Sequence, residues 1–320
     1  MCYNICGYYS VSRSYYNTSV SACRGQRYFT AEGGNGMSRY SGRRRRRFPW
    51  GILLCMAALT AFFLWSNRTL QTEEFDFRSA RLPAAFDGFR IVHLSDLHGA
   101  EFGENNAALL ERVAAAEPDI IAVTGDLIDE ETEDPQAYAA ALAPQLQAIA
   151  PVYYVTGNHE WATGGVPALK ETLTAAGWTV LSNRYLPLER NGETVIVAGI
   201  DDPNGYADQK TPETLTAELY AAHGDPFWIL LAHRNDHFAG QYSLLGADLT
   251  LSGHGHGGII RLPFTDGLLG TQHNFFPTHT AGLYEENGSA LFVSRGIGNV
   301  GITFRLFNRP EVAVLTLYKG

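Results

Sequence analysis

Five short apolar runs of the sequence each end in residues that can bind a metal ion or transfer a proton. The residues are Asp96 and His98, Asp126, Asn158 and His159, His233, and His254 and His256. Carboxylate, amide and imidazole groups are ligands for hard-to-borderline divalent cations. The set contains no thiolate, so it predicts a metal site built from oxygen and nitrogen ligands alone.

The spacing of these residues suits a pair of ions. Asp96 and His98 are two positions apart, as are His254 and His256, so each pair points to one side of an extended segment. A carboxylate such as Asp126 can bridge two ions, which two-metal hydrolytic sites hold about 3.5–4 Å apart. Ions so placed can bind a phosphate group and supply a deprotonated water as the nucleophile. The spacing is therefore typical of a two-metal hydrolytic site.

The runs that carry these residues have the length and composition of buried β-strands. They occupy 89–94, 120–124, 152–156, 227–232 and 249–252, and further strands are predicted at 179–181, 195–199, 290–294 and 312–318. Helical stretches at 105–116, 135–149, 166–176 and 214–222 alternate with them. Such alternation predicts a layered α/β domain with its sheets largely buried on both faces. The site residues all follow strands, at the edge where α/β sheets bind ligands.

The motifs, taken in order, resemble one enzyme superfamily. Asp-x-His, Gly-Asp, Gly-Asn-His-Glu, a lone His and Gly-His-x-His are similar to the calcineurin-like metallophosphoesterases, over about 90–260. Further similarity at 261–264, 294–296 and 306–310 resembles the membrane-associated bacterial phosphodiesterase branch. Gly255 departs from the Thr often found in that branch, but both flanking histidines are present. The resemblance implies an α-β-β-α sandwich with mixed sheets.

The resemblance also implies a role for each site residue. The first metal ion would be held by Asp96, His98, Asp126 and His256, and the second by Asp126, Asn158, His233 and His254. The ions implied are two of Mn, Fe or Zn. Catalysis would rest on Asp126 as the bridge and on His159, which would stabilise the transition state or protonate the leaving oxygen.

Several neighbouring residues allow two interpretations. Glu160 either sets the environment of His159 or is a surface acid, and Arg234 either contacts phosphate or forms a structural ion pair. His93 lies within a strand, out of phase with the ligands, and is expected to be packed in the core. His279 falls in a Phe-rich loop at 272–284, which either walls the substrate pocket, touches lipid or is an ordinary loop packed by its aromatic side chains.

Charge and cysteine content divide the chain into two unlike parts. Residues 1–50 carry nine arginines against Glu32 alone, and the remaining 270 residues carry 15 basic and 32 acidic residues, a net charge of −17. All four cysteines precede residue 56, which excludes a disulfide scaffold or thiol enzyme for the body. An acidic body is poorly suited to nucleic acid, and no nucleic-acid partner is predicted.

The N-terminal part predicts a membrane anchor. Residues 1–47 are expected to be a disordered basic tail, 48–65 a transmembrane signal anchor, 66–85 a linker and 86–320 the catalytic domain. The uncharged 48–65 stretch is at the short limit for a membrane span, and Trp50 and Trp65 suit the two interfaces. Five arginines, Arg43 to Arg47, favour a cytoplasmic N-terminus. A cleaved signal peptide and a translation start at Met37 are the alternatives.

The predicted protein is therefore an exported, membrane-bound phosphoester hydrolase, a phosphodiesterase or phosphomonoesterase. Its partners would be the membrane and a phosphoester, including lipid- or cell-wall-linked esters. One alternative is a pyrophosphatase acting on nucleotide-linked glycolipids. Another is a metal-binding envelope protein without catalysis.

Overall fold

The computed structural model describes residues 50–262, 267–271, 274–300 and 304–320. Within these residues, helix α1 (Trp50–Arg68) is long and apolar enough to cross a membrane, and little of its apolar stretch is buried against protein. It covers all but the first two residues of the predicted anchor. Those two residues and the predicted tail over 1–47 lie outside the part of the chain that is described.

The first sheet carries three of the site-bearing strands. In the described chain it contains β1 (Gln71–Ser79), β2 (Phe89–Leu94), β3 (Ile120–Thr124), β4 (Val152–Val155), β5 (Thr179–Val180) and β12 (Glu311–Lys319), in the order β1-β12-β2-β3-β4-β5. β2 to β5 are parallel, whereas β12 runs antiparallel to β2. Because parallel neighbours end at the same edge, the loops after β2, β3 and β4 lie side by side.

The second sheet carries the other two site-bearing strands. Its described strands are β6 (Arg184–Arg190), β7 (Glu193–Gly199), β8 (Trp228–Arg234), β9 (Leu249–Gly253), β10 (Gly282–Glu286) and β11 (Ser289–Val293), in the order β10-β11-β9-β8-β7-β6. β7, β8, β9 and β11 are parallel, and β6 and β10 pair antiparallel at the two edges. The sheet is mixed, as predicted.

Among the described residues, five α-helices accompany the sheets. They are α2 (Ala107–Ala115), α3 (Pro135–Gln147), α4 (Asn158–Thr163), α5 (Val166–Ala175) and α6 (Pro212–His223). The start of α3 is fixed by the Asp134 carboxylate, which accepts a hydrogen bond from the Ala137 amide at 2.9 Å, with Pro135 at the first helical position. Thr211 and Pro212 begin α6 in the same way.

The layers stack as α-β-β-α. Alternate residues of β2 point to opposite faces, so Val92 packs under α2, α3 and α5, and Ile91 packs between the two sheets. The outer face of the second sheet, including Leu230, packs against Leu215 and Leu219 of α6. The predicted fold class is therefore confirmed, and the central layer between the sheets holds the five site-bearing strands in a fixed relation.

Four described elements differ from the sequence prediction. β1 lies within the segment 66–85 that was predicted to be a linker, and it pairs in parallel with β12 from Gln71↔Glu311 to Ser79↔Lys319. The edge strands β6 and β10 and the short helix α4 were not predicted either. All of them mix polar and apolar residues, because each has a face or an edge in contact with solvent, and this weakens the apolar signal.

Candidate metal centre

The predicted site residues meet at the edge where the five strands end. His233 lies near the end of β8 itself, where a loop position was predicted, and Asn158 and His159 lie in the first turn of α4. Ligand atoms lie within 4.8 Å of one another in three groups, namely Asp96, His98 and His256; His98, Asp126 and His159; and Asp126, His233 and His254. Most of these side chains are buried. The structure thus brings together residues up to 160 positions apart in the chain.

One cluster contains the residues predicted for the first ion. His98 Nε2 lies 3.1 Å from His256 Nε2 and 3.8 Å from Asp126 Oδ2. His256 Nε2 lies 3.5 Å from Asp96 Oδ1. Ligand atoms that each stand about 2.0–2.2 Å from one ion are roughly 3–4 Å from one another. Asp96, His98, Asp126 and His256 could therefore hold one ion with little rearrangement.

A second cluster contains the residues predicted for the second ion. His233 Nε2 lies 3.0 Å from Asp126 Oδ2, 3.2 Å from Asn158 Oδ1 and 3.2 Å from His254 Nδ1. The Nδ1–H of His233 donates to the carbonyl of Thr124 at 2.8 Å, and this hydrogen bond directs Nε2 into the cluster. Asp126 Oδ2 faces both clusters, which is the position that a bridging carboxylate needs.

The backbone holds the ligands in an uncommon conformation. Positive φ angles, which favour glycine, occur at five of the predicted ligands, namely Asp96 (53°), His98 (48°), Asp126 (49°), His254 (65°) and His256 (46°). Holding a residue other than glycine in this conformation costs about 1–3 kcal/mol of stability, and such residues are found mainly at functional sites. The surrounding hydrogen bonds keep them in place, as when the His254 amide donates to Asp96 Oδ1 at 2.9 Å.

Charge within the clusters is set by burial and by neighbouring groups. Burial alone would lower the pKa of His233, yet the carboxylates of Asp126 and Asp96 raise it to about 10. Burial would raise the pKa of Asp126, but His233 holds it well below its usual range. Burial and His233 together lower the pKa of His254 to about 3. Asp126 is thus an anion and His254 is neutral, as coordination requires, while a cation would displace the proton of His233.

His159 occupies a different position from the ligands. Its Nδ1–H donates to Glu130 Oε2 at 2.6 Å, and its backbone amide donates to Asp126 Oδ1 at 2.9 Å. Burial opposes the charged imidazole, but Asp126 and Glu130 raise the pKa of His159. Glu130 was not singled out from the sequence, because an acid in an acidic loop carries no spacing signal.

Glu160 has a structural role that the sequence left open. Its carboxylate is fully buried and accepts hydrogen bonds from the amides of Asp126 (3.0 Å), Leu127 (2.5 Å) and Gly157 (2.7 Å). Burial and the nearby Asp126 charge raise the pKa of Glu160 to about 7. It is not a surface acid, since it ties the loop after β3 to the start of α4.

An apolar cleft of about 300 Å³ opens over the clusters. Its lining includes Asp126, His159, His254 and His256 together with Ile259, Thr271, Asn299, Val300, Phe304 and Arg305. Arg305 is 1% exposed and donates to the carbonyls of Arg295 and Gly298, at 2.6 Å each. Burial lowers the pKa of Arg305 to about 10, so it remains a cation at neutral pH.

The structure also places the remaining residues for which the sequence analysis gave an expectation or two interpretations. His93 is fully buried and hydrogen-bonds Thr124 Oγ1 at 2.7 Å, so it is a core residue as predicted. Arg234 forms an ion pair with Asp202 at 2.8 Å. In the 272–284 loop, Phe275 and Phe276 are 70% and 67% exposed, so these aromatic side chains do not pack the loop, and contact with the pocket or with lipid is left. His279 lies in a depression beside His254, and Gln272 and His273 lie outside the described residues.

The fold is an α/β sandwich, and its two clusters contain donors suited to a pair of metal ions. The family described as calcineurin-like phosphoesterase matches residues 89–258. The chain is 31% identical over 256 residues to "Uncharacterized metallophosphoesterase YkuE" of Bacillus subtilis, covering 78% of this chain and 85% of that protein. It is 30% identical to "Uncharacterized metallophosphoesterase Cj0846" of Campylobacter jejuni, covering 82% of this chain and 69% of that protein.

Relatives with membrane segments are also found. The chain is 30% identical to "Transmembrane protein with metallophosphoesterase domain" of Danio rerio, covering 74% of this chain and 55% of that protein. The protein belongs to the calcineurin-like metallophosphoesterase family, as the motifs predicted. It is therefore a phosphoester hydrolase, and its family depends on two metal ions.

Proposed function

We propose that this protein is a membrane-anchored phosphodiesterase or phosphomonoesterase whose catalytic domain lies outside the cytoplasm. The observation that carries the proposal is the shared carboxylate of Asp126, which stands 3.8 Å from His98 Nε2 and 3.0 Å from His233 Nε2. A carboxylate between two sets of imidazole and oxygen donors is suited to bridging two ions.

Each cluster supplies donors for one ion. We assign the first ion to Asp96, His98, Asp126 and His256, and the second to Asp126, Asn158, His233 and His254. When bound, such a pair of ions neutralises phosphate charge and lowers the pKa of water, so that the attack on phosphorus proceeds near neutral pH. The donor set accepts Mn, Fe or Zn, because it combines imidazole with hard oxygen ligands.

His159 is proposed to assist the leaving group. With Nδ1–H directed at Glu130, its Nε2 is the atom available to donate a proton to the departing oxygen. Buried Arg305, which lines the same cleft, adds a positive charge near a bound phosphate. Glu160 and Thr124 hold the loops and the His233 ring in place while these groups act.

The apolar helix and the arginines before it support an orientation in which the catalytic domain lies outside the cytoplasm. Arg43 to Arg47 precede the apolar stretch, and positively charged flanks are retained on the cytoplasmic side of a membrane. The domain after α1 would then be extracytoplasmic. Its substrates would be phosphoesters of the cell envelope, including lipid- or cell-wall-linked esters.

The proposal is tested with the purified full chain, Mn²⁺ and two generic esters, p-nitrophenyl phosphate and bis(p-nitrophenyl) phosphate. We expect hydrolysis of at least one ester, and a loss of both activity and bound metal in Asp126→Ala. We expect His159→Ala to retain both ions and to lose little activity on these p-nitrophenyl esters, because p-nitrophenolate departs without a proton. On an ester with a poor alkoxide leaving group, the same variant should lose roughly 100-fold in kcat. His223→Ala, which changes an exposed histidine of α6, is the matched control.

The outcomes separate the proposed enzyme from a non-catalytic metal-binding protein. Two bound ions without hydrolysis of either ester would favour the binding protein. Full activity in Asp126→Ala after chelation of metals would contradict the two-metal mechanism.

A further inference from the structure

Four exposed phenylalanines lie in the two chain segments that neighbour Thr271 and Arg305 of the cleft lining. Phe275, Phe276, Phe304 and Phe307 are 70%, 67%, 43% and 53% exposed, and we call them the aromatic rim. Phe304 also lines the cleft itself. Exposed aromatic groups at one location mark a surface that contacts another apolar phase.

The rim belongs to one small β-bridged substructure. Leu306 pairs with Ile260, Ile260 pairs with Leu269, and Leu269 pairs with Phe275. Neighbouring strands are about 4.8 Å apart, so Phe275 lies within roughly 15 Å of Leu306. The two halves of the rim, Phe275–Phe276 and Phe304–Phe307, are therefore neighbours in one substructure.

The end of α1 contacts this surface directly. The Phe63 and Phe304 ring centroids are 5.8 Å apart, and those of Phe62 and Phe307 are 5.3 Å apart. Arg309 stacks over Trp65 at 4.6 Å. The apolar helix thus emerges from its span beside the rim.

Hydrogen bonds fix the same junction. Ser66 Oγ donates to the Arg305 carbonyl at 3.1 Å, and the Arg305 amide donates to Asn67 Oδ1 at 2.6 Å. Ser66 is fully buried there. Because Arg305 also lines the cleft, the depth of the anchor in the bilayer determines the height of the cleft above it.

We propose that the aromatic rim sits in the lipid headgroup region, so that the cleft opens at the membrane surface and takes the phosphate of an amphiphilic ester whose alkyl chains stay in the bilayer. Trp65 is at the end of the apolar stretch, where aromatic residues favour the interface. Phe304 and Phe307 of the rim pack against the turn of α1 just before it. The apolar cleft wall formed by Ile259, Val300 and Phe304 suits the chain-bearing part of such an ester. This inference rests on the proposed function.

The substrate class is tested with two diesters that share a scissile bond, methyl p-nitrophenyl phosphate and dodecyl p-nitrophenyl phosphate. The full chain is reconstituted in phosphatidylcholine vesicles with Mn²⁺. We expect kcat/KM to be roughly tenfold or more higher for the dodecyl ester, because a few buried methylene groups suffice for that factor. The ratio is expected to fall severalfold in Phe275→Ser/Phe276→Ser.

A control residue makes the comparison specific. Leu244 is 67% exposed and lies in a short 3-10 turn on the α6 side of the domain, so Leu244→Ser should keep the wild-type ratio. Equal rates on the two esters in the wild type, or equal ratios in the two variants, would overturn the membrane-surface proposal alone. Failure to hydrolyse either diester would instead count against the phosphodiesterase form of the proposed function, and the labelling measurement below would then decide the membrane-surface proposal.

A second measurement does not depend on activity. In a chain whose native cysteines are replaced by alanine, Phe276→Cys and Leu244→Cys are each labelled with a nitroxide and compared in vesicles. At position 276 we expect greater relaxation by oxygen, which partitions into lipid, than by a water-soluble nickel chelate. At position 244 we expect the reverse. The same nickel accessibility at both positions would place the rim in water and overturn the proposal.

Discussion

Gly157 is the position where one added methyl group should disable the site. A Cβ at Gly157 would lie 2.2 Å from Asp126 Oδ1, 2.6 Å from the Asp126 amide nitrogen and 2.8 Å from Asp126 Cγ. Packed interiors leave no room for such overlap. The Asp126 carboxylate must therefore move by about 1 Å, and a displacement of that size at a reacting centre can cost about 100-fold in rate. We expect Gly157→Ala to lower kcat/KM by about that factor.

The effect should arise from the clash with Asp126 and not from strain in the backbone of residue 157. Gly157 has a φ of −103°, which alanine adopts without strain. Gly165 provides the matched control, with a φ of −94° and its nearest atom, Thr163 Oγ1, at 3.5 Å from an added Cβ. Both variants are assayed for hydrolysis of bis(p-nitrophenyl) phosphate, for bound metal and for thermal unfolding.

A specific pattern is expected from that comparison. Gly157→Ala should lose activity and bind metal more weakly, whereas Gly165→Ala should behave like the wild type. Equal kcat/KM and equal metal content in the two variants would refute the reasoning, because it would mean that the position of Asp126 does not control the site.

Two further predictions follow from buried or paired groups. Glu130→Gln should lower kcat roughly tenfold on a substrate with a poor alkoxide leaving group and only slightly on one that releases p-nitrophenol. The reason is that proton donation to the leaving group matters most when that group is poor. An equal loss on both substrates would show that Glu130 does not act through His159. Burial lowers the pKa of His93 to about 3, so the unfolded state binds a proton below pH 6.5 that the folded state does not. Stability is therefore lost as pH falls from 6.5 towards 3, by about 2 kcal/mol at pH 5. Urea unfolding of His93→Gln should show a smaller loss over the same range, and an unchanged pH dependence would contradict the assignment.

The central strands could be predicted because they are buried on both faces. Phe89–Leu94 and Ile120–Thr124 were predicted to the residue, since parallel strands covered by helices consist of nearly continuous apolar residues. The ligand motifs were visible because each stands at or just after the end of such a strand. The structure brings the predicted ligands together, while their roles in binding metal and in catalysis remain predictions.

Other features depend on tertiary contacts that no local pattern reveals. The sequence of β1 is mostly polar, which hides its strand character. Phe75 and Phe77 nevertheless alternate with Asp76 and Arg78, a pattern typical of an edge strand with one face covered. The pairing of Glu130 with His159 joins residues 29 positions apart in two loops. The burial of Arg305 against the end of α1 depends on a contact across 239 positions, between Ser66 and Arg305.

The central claim is that Asp126 bridges two ions, and metal analysis of the purified protein tests it most directly. We predict two ions per chain in the wild type, about one in Asn158→Ala, which changes a ligand of the second cluster only, and a marked loss of both in Asp126→Ala. Mass spectrometry of the intact protein under native conditions, combined with elemental analysis, would count them. A wild-type chain that binds one ion, or an Asp126→Ala variant that retains two, would contradict the account.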